Sequence, residues 1–363
     1  MESYIQFDPN MIVNSTIGDV EVEWRDVRTA PFSLHGFYEP LSEPFFHRMP
    51  TEVAAATSEG VALFEQESAG GRVRFSTDSP YIAIRAKYRV VGRSSHLTLV
   101  SSAGFDLYVD GEFGSRFVKE FRMPYKMVDS YEQIVHLESE AMRSLTVNFP
   151  VHSVVESVQI GLKPGARLGA ARPYRNVDPV VIYGSSIVHG TAASRPGLIY
   201  PAVLSRELNV DVCNLGFSGH AKGERAIAEW IATLPMSIFV CDYDHNASTE
   251  LLQETHHAFY EIVREKNPDL PYVMITRPNF YTCWNDHEVI FKRREVIMRS
   301  YLAAREAGDR NVYFIDGLDF CAAPHTYECS MDGIHPNDTG FVRMADSIGT
   351  VLRYIFEKQQ SKS

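Results

Sequence analysis

The sequence predicts an antiparallel β-sandwich, jelly-roll-like in form, followed by a three-layer α/β/α domain with a parallel sheet. Short segments of alternating hydrophobicity, separated by turn residues, fill residues 1–170, a pattern typical of antiparallel sheets. Strand and helix patterns then alternate through residues 175–363, which indicates a parallel sheet covered on both faces. A stretch containing Pro and Gly at 164–179 lies between them and is predicted to be a linker.

The strands expected in the first domain are short and mostly separated by Gly, Asp or Ser. Residues 81–88 alternate apolar and polar side chains with period two, the pattern of a strand with one buried face. The predicted strands cover residues 61–64, 72–75, 81–88, 97–100, 105–109, 132–137, 145–149 and 158–162.

The second domain is predicted to begin with a short apolar strand and to end with an amphipathic helix. Helix-start residues at 336–338 precede an apolar stripe that includes Phe341, Met344 and Ile348. Strands are predicted at 180–183, 211–214, 237–241, 272–275 and 312–315, with helices near 198–208, 222–233, 249–266 and 285–307. Ligands of such sheets bind beyond the carboxyl ends of the strands, so the loops that follow the strands are the places to search for a site.

Composition excludes several classes of function. The chain has 363 residues, of which 45% are hydrophobic and 22% charged, and a net charge of −11. This acidic balance argues against nucleic acid and against an anionic membrane surface as partners. Residues 1–10 lack the basic start and apolar run of a signal peptide. Five cysteines without a CxxC pair favour buried free thiols, so we expect a cytoplasmic protein.

Ser186 is the candidate nucleophile. It follows the apolar run Val180–Tyr183 within Gly184-Ser185-Ser186, and such a turn lifts a hydroxyl above the sheet edge. A serine hydroxyl needs a base to become a nucleophile. The structural alternative is a serine that only caps the next helix, and Ser185 is the competing candidate.

Asp332 and His335 are the candidate acid and base. At a separation of three residues on a turn, the carboxylate can bond one ring nitrogen and leave the other facing the serine. The alternative is a plain Asp332-Gly333 turn followed by an exposed histidine.

Gly219 and Asn246 follow the next two predicted strands and are candidate oxyanion donors. The glycines of 216–219 let the backbone approach a ligand, and a side-chain amide can donate to a developing oxyanion. The alternatives are a tight turn at Gly219 and a helix N-cap at Asn246, before a helix beginning near Ser248.

These four segments together resemble the SGNH (GDSL-type) hydrolase family. Gly184-Ser185-Ser186 corresponds to its first block, with Ser185 in place of Asp, and Gly219 and Asn246 match the second and third blocks. Asp332-Gly333-Ile334-His335 matches the last block. Asp244 replaces a glycine of the third block, and the sequence Gly104–Tyr108 is similar to the Gly-x-Asp-Leu-Tyr motif of a subfamily with an N-terminal β domain.

The resemblance implies a serine esterase that works through an acyl-enzyme without a metal or cofactor. Ser186 would be the nucleophile, His335 the base and Asp332 its supporting acid. The oxyanion hole would combine the Ser186 backbone N–H with Gly219 and Asn246. The implied substrate is a small acyl ester, with acetyl groups on a carbohydrate or oligosaccharide favoured. The alternatives are an acyltransferase with the same triad, an esterase of non-carbohydrate substrates, and an inactive carbohydrate-binding protein.

Three further residues near the predicted rim are candidate substrate contacts, namely His245, Arg277 and Trp284. Loop packing is the alternative for His245, an ion pair with an aspartate for Arg277, and a lid or core position for Trp284. In the β domain, ordinary strand patterning favours an exposed Asp106 beside a buried Leu107. A fixed apolar interface between the domains near 149–155 is also expected, because its valines need cover.

Overall fold

The computed structural model describes residues 12–111, 114–176, 178–279, 287–321 and 326–361. None of the helices in these ranges has the length and apolarity needed to cross a membrane. The strands of the N-terminal region are β1 (Glu23–Asp26), β2 (Ser33–His35), β3 (Arg72–Thr77), β4 (Tyr81–Val90), β5 (Phe105–Gly111), β6 (Gly114–Phe121), β7 (Ser130–His136), β8 (Arg143–Asn148), β9 (Val154–Leu162) and β10 (Leu168–Gly169). Its helices are α1 (Thr51–Thr57), α2 (Glu59–Phe64) and α3 (Leu99–Ala103).

These strands form the predicted β-sandwich. One antiparallel sheet has the order β1-β9-β4-β7, and the other has the order β10-β3-β8-β5-β6, with β2 paired to β3. Strand β4 shows the expected alternation, since Ile84 and Ala86 are buried whereas Arg85 and Lys87 are exposed. Between the two sheets lies an apolar core that includes Phe75, Phe105, Phe149 and Ile160.

Two of the predicted strands are wrong. Residues 61–64 belong to helix α2, which Ser58 caps by accepting the Val61 N–H at 3.2 Å. Residues 97–100 enter helix α3, which Thr98 caps by accepting the Ser101 N–H at 3.1 Å. Local hydrogen bonds from capping hydroxyls therefore outweigh the β preference of these short apolar runs.

The C-terminal region forms the predicted α/β/α domain. Its strands are β11 (Val180–Gly184), β12 (Val212–Gly216), β13 (Ile238–Asp242), β14 (Tyr272–Ile275) and β15 (Val312–Ile315), and its helices are α4 (Ser186–His189), α5 (Tyr200–Leu208), α6 (Arg225–Ile231), α7 (Thr249–Lys266), α8 (His287–Glu306) and α9 (Asp338–Gln360). The sheet is parallel with the order β12-β11-β13-β14-β15. Helices α5 and α9 cover one face, whereas α6, α7 and α8 cover the other.

This strand order places the end of β11 at the switch point of the sheet. The chain leaves β11 toward β12 on one side and then crosses to β13 on the other. The loops after these three strands therefore diverge around a crevice, which is where open parallel sheets bind their ligands.

Apolar packing crosses the predicted domain boundary at 170–175. Helices α1 and α2 add Ala54 and Val61 to the C-terminal core that contains Tyr183 and Phe217. On the opposite face of the sheet, Val151 packs in the cluster that contains Ile187 and Val188 of helix α4. The two domains thus share buried apolar surface. Of the segment expected at the interface, Val151 packs against the C-terminal domain, whereas Phe149 and Val155 lie in the core of the N-terminal domain itself.

Asp106 of the Gly-x-Asp-Leu-Tyr motif lies in this interface. Its carboxylate is fully buried, lies 2.9 Å from the Arg195 guanidinium, and accepts hydrogen bonds from the Gly197 backbone N–H and the Asn148 side chain, both at 2.8 Å. The favoured expectation of an exposed Asp106 is wrong, because the period-two pattern does not reveal that a second domain covers this sheet. The motif joins the domains.

Candidate active site

The end of β11 places two adjacent serines in different roles. Ser185 caps helix α4, since its hydroxyl accepts the Ile187 N–H at 3.2 Å. Ser186 is the first residue of that helix, so its backbone N–H has no acceptor within the helix. At Gly184, a Cβ atom would lie 2.1 Å from the Asp242 carbonyl oxygen, so only glycine fits this turn. Ser186, and not Ser185, has a hydroxyl that is not used for capping.

Ser186, His335 and Asp332 form a continuous hydrogen-bonded chain. The Ser186 Oγ lies 2.9 Å from His335 Nε2, and His335 Nδ1 lies 2.7 Å from Asp332 Oδ2. The other carboxylate oxygen of Asp332 accepts the backbone N–H groups of His335 at 2.7 Å and Ile334 at 2.9 Å. The three residues are thus in the order that the sequence analysis expects.

The loop that carries His335 is held by its own hydrogen bonds. The His335 carbonyl accepts the Ser330 hydroxyl at 2.8 Å and the Met331 N–H at 3.0 Å. Asn337 then caps helix α9 by accepting the Gly340 N–H at 3.1 Å. Because α9 packs in the core, the imidazole is fixed to the rigid part of the domain.

The Asp332 carboxyl remains ionised over the whole neutral and mildly acidic range. Partial burial tends to raise its pKa, but the hydrogen bonds from the His335 N–H, the His335 ring and the Ile334 N–H outweigh burial and lower the pKa to about 2. A carboxylate that stays negative holds the Nδ1–H of His335 in place and stabilises an imidazolium when one forms.

Gly219 and Asn246 lie on loops that flank the end of β11 on either side. Gly219 is exposed and has φ +75°, a left-handed conformation that favours glycine. The Oδ1 of Asn246 accepts the Ala221 N–H at 3.2 Å, which leaves the amide NH₂ as the donating end. Helix α7 is capped by Ser248, whose hydroxyl accepts the Leu251 N–H at 3.2 Å, so Asn246 is not its cap.

His245 and Arg277 also lie at this edge of the sheet. The pKa of His245 is well below its usual value because the ring is buried and because Arg277, Arg293 and His335 add positive charge nearby. The backbone N–H of Arg277 donates to buried Asp244 at 2.9 Å. The third predicted substrate contact, Trp284, falls outside the described residues.

His96 of the N-terminal domain also lies at the triad, although the sequence did not predict it. Its Nε2 lies 3.5 Å from Asp332 Oδ2, and its side chain is half exposed. The hydroxyl of Thr98 donates to the Ser194 carbonyl at 2.6 Å and anchors this loop to the C-terminal domain. Nothing in the local pattern of 92–98 marks such a residue, because the contact depends on how the domains pack.

A cleft of about 520 Å³ lies beside His96. Polar side chains of both domains line much of it, including Ser95, Thr98, Ser194, Asn337 and Thr339. Leu97, Ala192 and Met331 also line the cleft. The Asp332 end of the triad therefore lies near a cleft of mixed polar and apolar lining that the two domains build together.

Glu67, His152 and His189 are the one group within the described ranges whose side chains have metal-ligand spacing. Their ligand atoms all lie within 4.8 Å of one another. The cluster includes His189, the last residue of helix α4. The ring nitrogens of the two histidines contact Thr191, Ser218 and Glu67, and they do not contact the triad. Local patterns in the sequence do not link Glu67 or His152 to the site.

Comparison with known proteins decides the family. Residues 177–353 match the model of the GDSL-like lipase/acylhydrolase family, and residues 22–168 match the model of the N-terminus of SGNH_hydro-type esterases, named GxDLY. The chain belongs to the SGNH (GDSL-type) hydrolases. It carries the N-terminal β domain of its subfamily, and the protein is an ester hydrolase.

Solved structures share this two-domain fold. A protein from Bacteroides ovatus whose description assigns it to the GDSL-like lipases is 27% identical, with a TM-score of 0.83 over 93% of this chain and 98% of that one. A salicylyl-acyltransferase from a tetracycline biosynthetic pathway is 21% identical, with a TM-score of 0.72 over 90% and 95%. An acetyl xylan esterase from Butyrivibrio proteoclasticus is 12% identical, with a TM-score of 0.58 over 92% and 99%. No curated protein sequence matches the chain.

Proposed function

We propose that this SGNH hydrolase is a serine esterase that removes acetyl or similarly small acyl groups from carbohydrates, with Ser186 as its nucleophile. The observation that carries the proposal is the 2.9 Å contact between Ser186 Oγ and His335 Nε2, with ionised Asp332 on the far side of the ring. A hydroxyl becomes a nucleophile when an adjacent, oriented base accepts its proton.

The reaction follows from these positions. His335 Nε2 accepts the Ser186 proton while Oγ attacks the ester carbonyl carbon. The oxyanion of the tetrahedral intermediate accepts hydrogen bonds from the Ser186 N–H, the Gly219 N–H and the Asn246 amide. The intermediate then collapses to an acyl-serine, and the departing alcohol takes the proton from His335. Water, deprotonated by the same nitrogen, hydrolyses the acyl-serine and restores the hydroxyl of Ser186.

The carbohydrate part of the proposal has separate support. The cleft beside His96 presents hydroxyl and amide groups, together with Leu97, Ala192 and Met331. The hydroxyl and amide groups suit an alcohol that carries many hydroxyl groups. The fold is shared with an acetyl xylan esterase. His245, which lies close enough to His335 to be affected by its charge, and Arg277 would be further substrate contacts.

Esters of rising chain length test the acyl preference. We expect hydrolysis of p-nitrophenyl acetate, falling steadily for longer chains, and release of acetate from a panel of acetylated sugars. Product analysis with added acceptor alcohols separates hydrolysis from the acyltransferase alternative. An enzyme that prefers long chains, or that releases nothing from acetylated sugars, contradicts the substrate class.

Ser186→Ala tests the assignment of the nucleophile. We expect turnover to fall by about a millionfold, the usual effect of losing a triad serine, with the fold retained. A fluorophosphonate probe should label Ser186 in the wild type and should still label it in the matched variant Ser185→Ala, which loses only the cap. Labelling of Ser185, or full turnover by Ser186→Ala, shows that the nucleophile is wrongly assigned.

A further inference from the structure

A carboxylate of the N-terminal domain contacts two histidines behind the active site. Glu67 Oε2 lies 3.0 Å from His152 Nδ1, within its own domain, and 3.0 Å from His189 Nε2, on helix α4 of the other domain. The two rings lie 4.3 Å apart between centroids. Both histidines are buried, and the Glu67 side chain is 17% exposed.

Each outer ring nitrogen meets a hydroxyl group of the C-terminal domain. His152 Nε2 lies 3.1 Å from Thr191 Oγ1, and His189 Nδ1 lies 3.0 Å from Ser218 Oγ. The ring of contacts therefore runs from Glu67 through one histidine to Thr191 and through the other to Ser218.

The protonation states of this cluster follow from its surroundings. Burial tends to raise the pKa of Glu67, but the hydrogen bonds from His152 and His189 outweigh burial and lower the pKa to about 2, so the carboxylate is ionised. Burial, with His152 and Arg48 nearby, lowers the pKa of His189 to about 3, so this ring is neutral. Its Nε2–H donates to Glu67 and to the Val151 carbonyl, 3.1 Å away, and its Nδ1 accepts the Ser218 hydroxyl proton.

A second residue of the N-terminal domain contacts the end of strand β12, just before Ser218. The buried Arg48 guanidinium donates to the Gly216 carbonyl at 2.8 Å and to the Asn214 carbonyl at 3.1 Å. Gly216 itself packs directly on helix α4, since a Cβ atom there would lie 2.1 Å from the His189 backbone nitrogen.

These contacts end beside the groups that the proposed mechanism uses. Ser218 is the neighbour of Gly219, and His189 is in the single helical turn that begins with Ser186. We propose that Glu67, acting through His189 and Ser218, is a positioning residue that sets the Gly219 loop against the Ser186 turn and so completes the oxyanion hole from the N-terminal domain. This inference rests on the proposed esterase function.

A hydrogen-bonded network explains the cluster better than a metal ion does. The Val151 carbonyl accepts from His189 Nε2, the nitrogen that would have to bind the metal. Arg48 adds a buried positive charge close to both His189 and Glu67. A dication between these groups would lie beside that charge, which is unfavourable in a low-dielectric site.

The test compares Glu67→Ala with Asp211→Ala. Asp211 is a matched control because it also contacts a histidine of the other domain, His35 at 2.8 Å, and is 18% exposed, but it precedes β12 at the end of the sheet remote from the triad. We expect both variants to unfold at lower temperature. With p-nitrophenyl acetate, only Glu67→Ala should lose kcat, by roughly 10- to 100-fold with KM within about twofold, because misplaced donors affect the transition state.

A transition-state analogue supplies a readout that stability alone does not change. Affinity for phenylboronic acid, which forms a tetrahedral adduct with a serine oxygen, should fall in Glu67→Ala in parallel with kcat and stay at the wild-type value in Asp211→Ala. If Glu67→Ala does not fold, Ser218→Ala is the second variant. It removes the partly exposed hydroxyl that ends the hydrogen-bonded series Glu67–His189–Ser218, and it should reduce kcat by about tenfold.

Three outcomes overturn the proposal. The first is wild-type kcat in Glu67→Ala or Ser218→Ala, and the second is an equal loss of kcat in Asp211→Ala. The third is loss of wild-type activity after dialysis against EDTA with recovery on adding Zn²⁺, which makes the cluster a metal site. Failure of the esterase function itself is distinguishable, because the wild-type protein would then neither hydrolyse esters nor bind the fluorophosphonate at Ser186.

Discussion

Asp106→Ala tests whether the two domains form one folding unit. The substitution removes a fully buried carboxylate that accepts hydrogen bonds from Arg195, Gly197 and Asn148. Truncating one partner of a buried charged pair leaves the other charge uncompensated and costs about 3–5 kcal/mol. Removing a lone, exposed carboxylate from the same domain lowers the free energy of unfolding far less.

The stability loss converts into a shift of the melting temperature. A chain of 363 residues that unfolds as one unit has an unfolding entropy of about 0.8 kcal/mol/K, at roughly 2.1 cal/mol/K per residue. A loss of about 4 kcal/mol then lowers Tm by about 5 °C. Differential scanning calorimetry should show one transition in the wild type and an earlier transition in Asp106→Ala.

The control is Asp129→Ala, an exposed aspartate of the same domain, which should leave Tm within about 1 °C of the wild type. Expression of residues 175–363 alone should give an insoluble or unstable fragment, because α1, α2 and Val151 then no longer cover its core. Two separate transitions in the wild type, an unchanged Tm in Asp106→Ala, or a soluble and fully active fragment would refute a shared interface.

Three further predictions concern the site and a buried acid close to it. Asp332→Asn should lower kcat by about 10⁴-fold and His335→Ala by more, since the carboxylate orients the ring and the ring moves the proton; unchanged turnover in Asp332→Asn removes it from the mechanism. Asn246→Ala should lower kcat about 100- to 1000-fold with little change in KM. If the variant only unfolds at a lower temperature and keeps its kcat, the amide stabilises the loop and has no catalytic role. Burial raises the pKa of Asp242 to about 8, although the Tyr200 hydroxyl bonds it at 2.9 Å. The folded state therefore holds a proton that the unfolded state loses near pH 4, so wild-type stability should fall by up to about 1.4 kcal/mol per pH unit between about pH 4 and 8 relative to Asp242→Asn. Urea titrations of both proteins at pH 5, 6.5 and 8 measure this difference, and a constant difference contradicts it.

The candidate triad was predictable because local sequence and sheet topology act in the same direction. Parallel strands deliver their following loops to one edge, so the Gly184–Ser186 turn and the Asp332–His335 turn meet although they are far apart in sequence. Local geometry also sets the pairing of Asp332 with His335, since three residues on one turn bring carboxylate and ring together. Helix α7 and strand β14 have the predicted bounds, because the amphipathic pattern of α7 is long and the residues of β14 are all apolar.

The predictions failed where short segments pack against a partner distant in sequence. Residues 61–64 have the composition of a strand, but they form a helix that contributes Val61 to the core of the other domain. Asp106 alternates with apolar neighbours as an exposed residue would, yet Arg195 and Gly197 cover it. A period-two pattern distinguishes the two faces of a strand. It does not show that another part of the protein covers the polar face as well.

The sequence by itself determined the order of the strands and long helices in the second domain, its parallel sheet, and the loops that carry Ser186, Gly219, Asn246 and the Asp332–His335 pair. These features depend on hydrophobic periodicity and on turn and cap residues, all of which act over a few positions. Only the tertiary structure decided that His96 of the N-terminal domain contacts Asp332 and that Glu67 contacts His189 in the helix that begins with Ser186. Such contacts depend on how two domains dock, and the burial that drives docking leaves no local period in the chain.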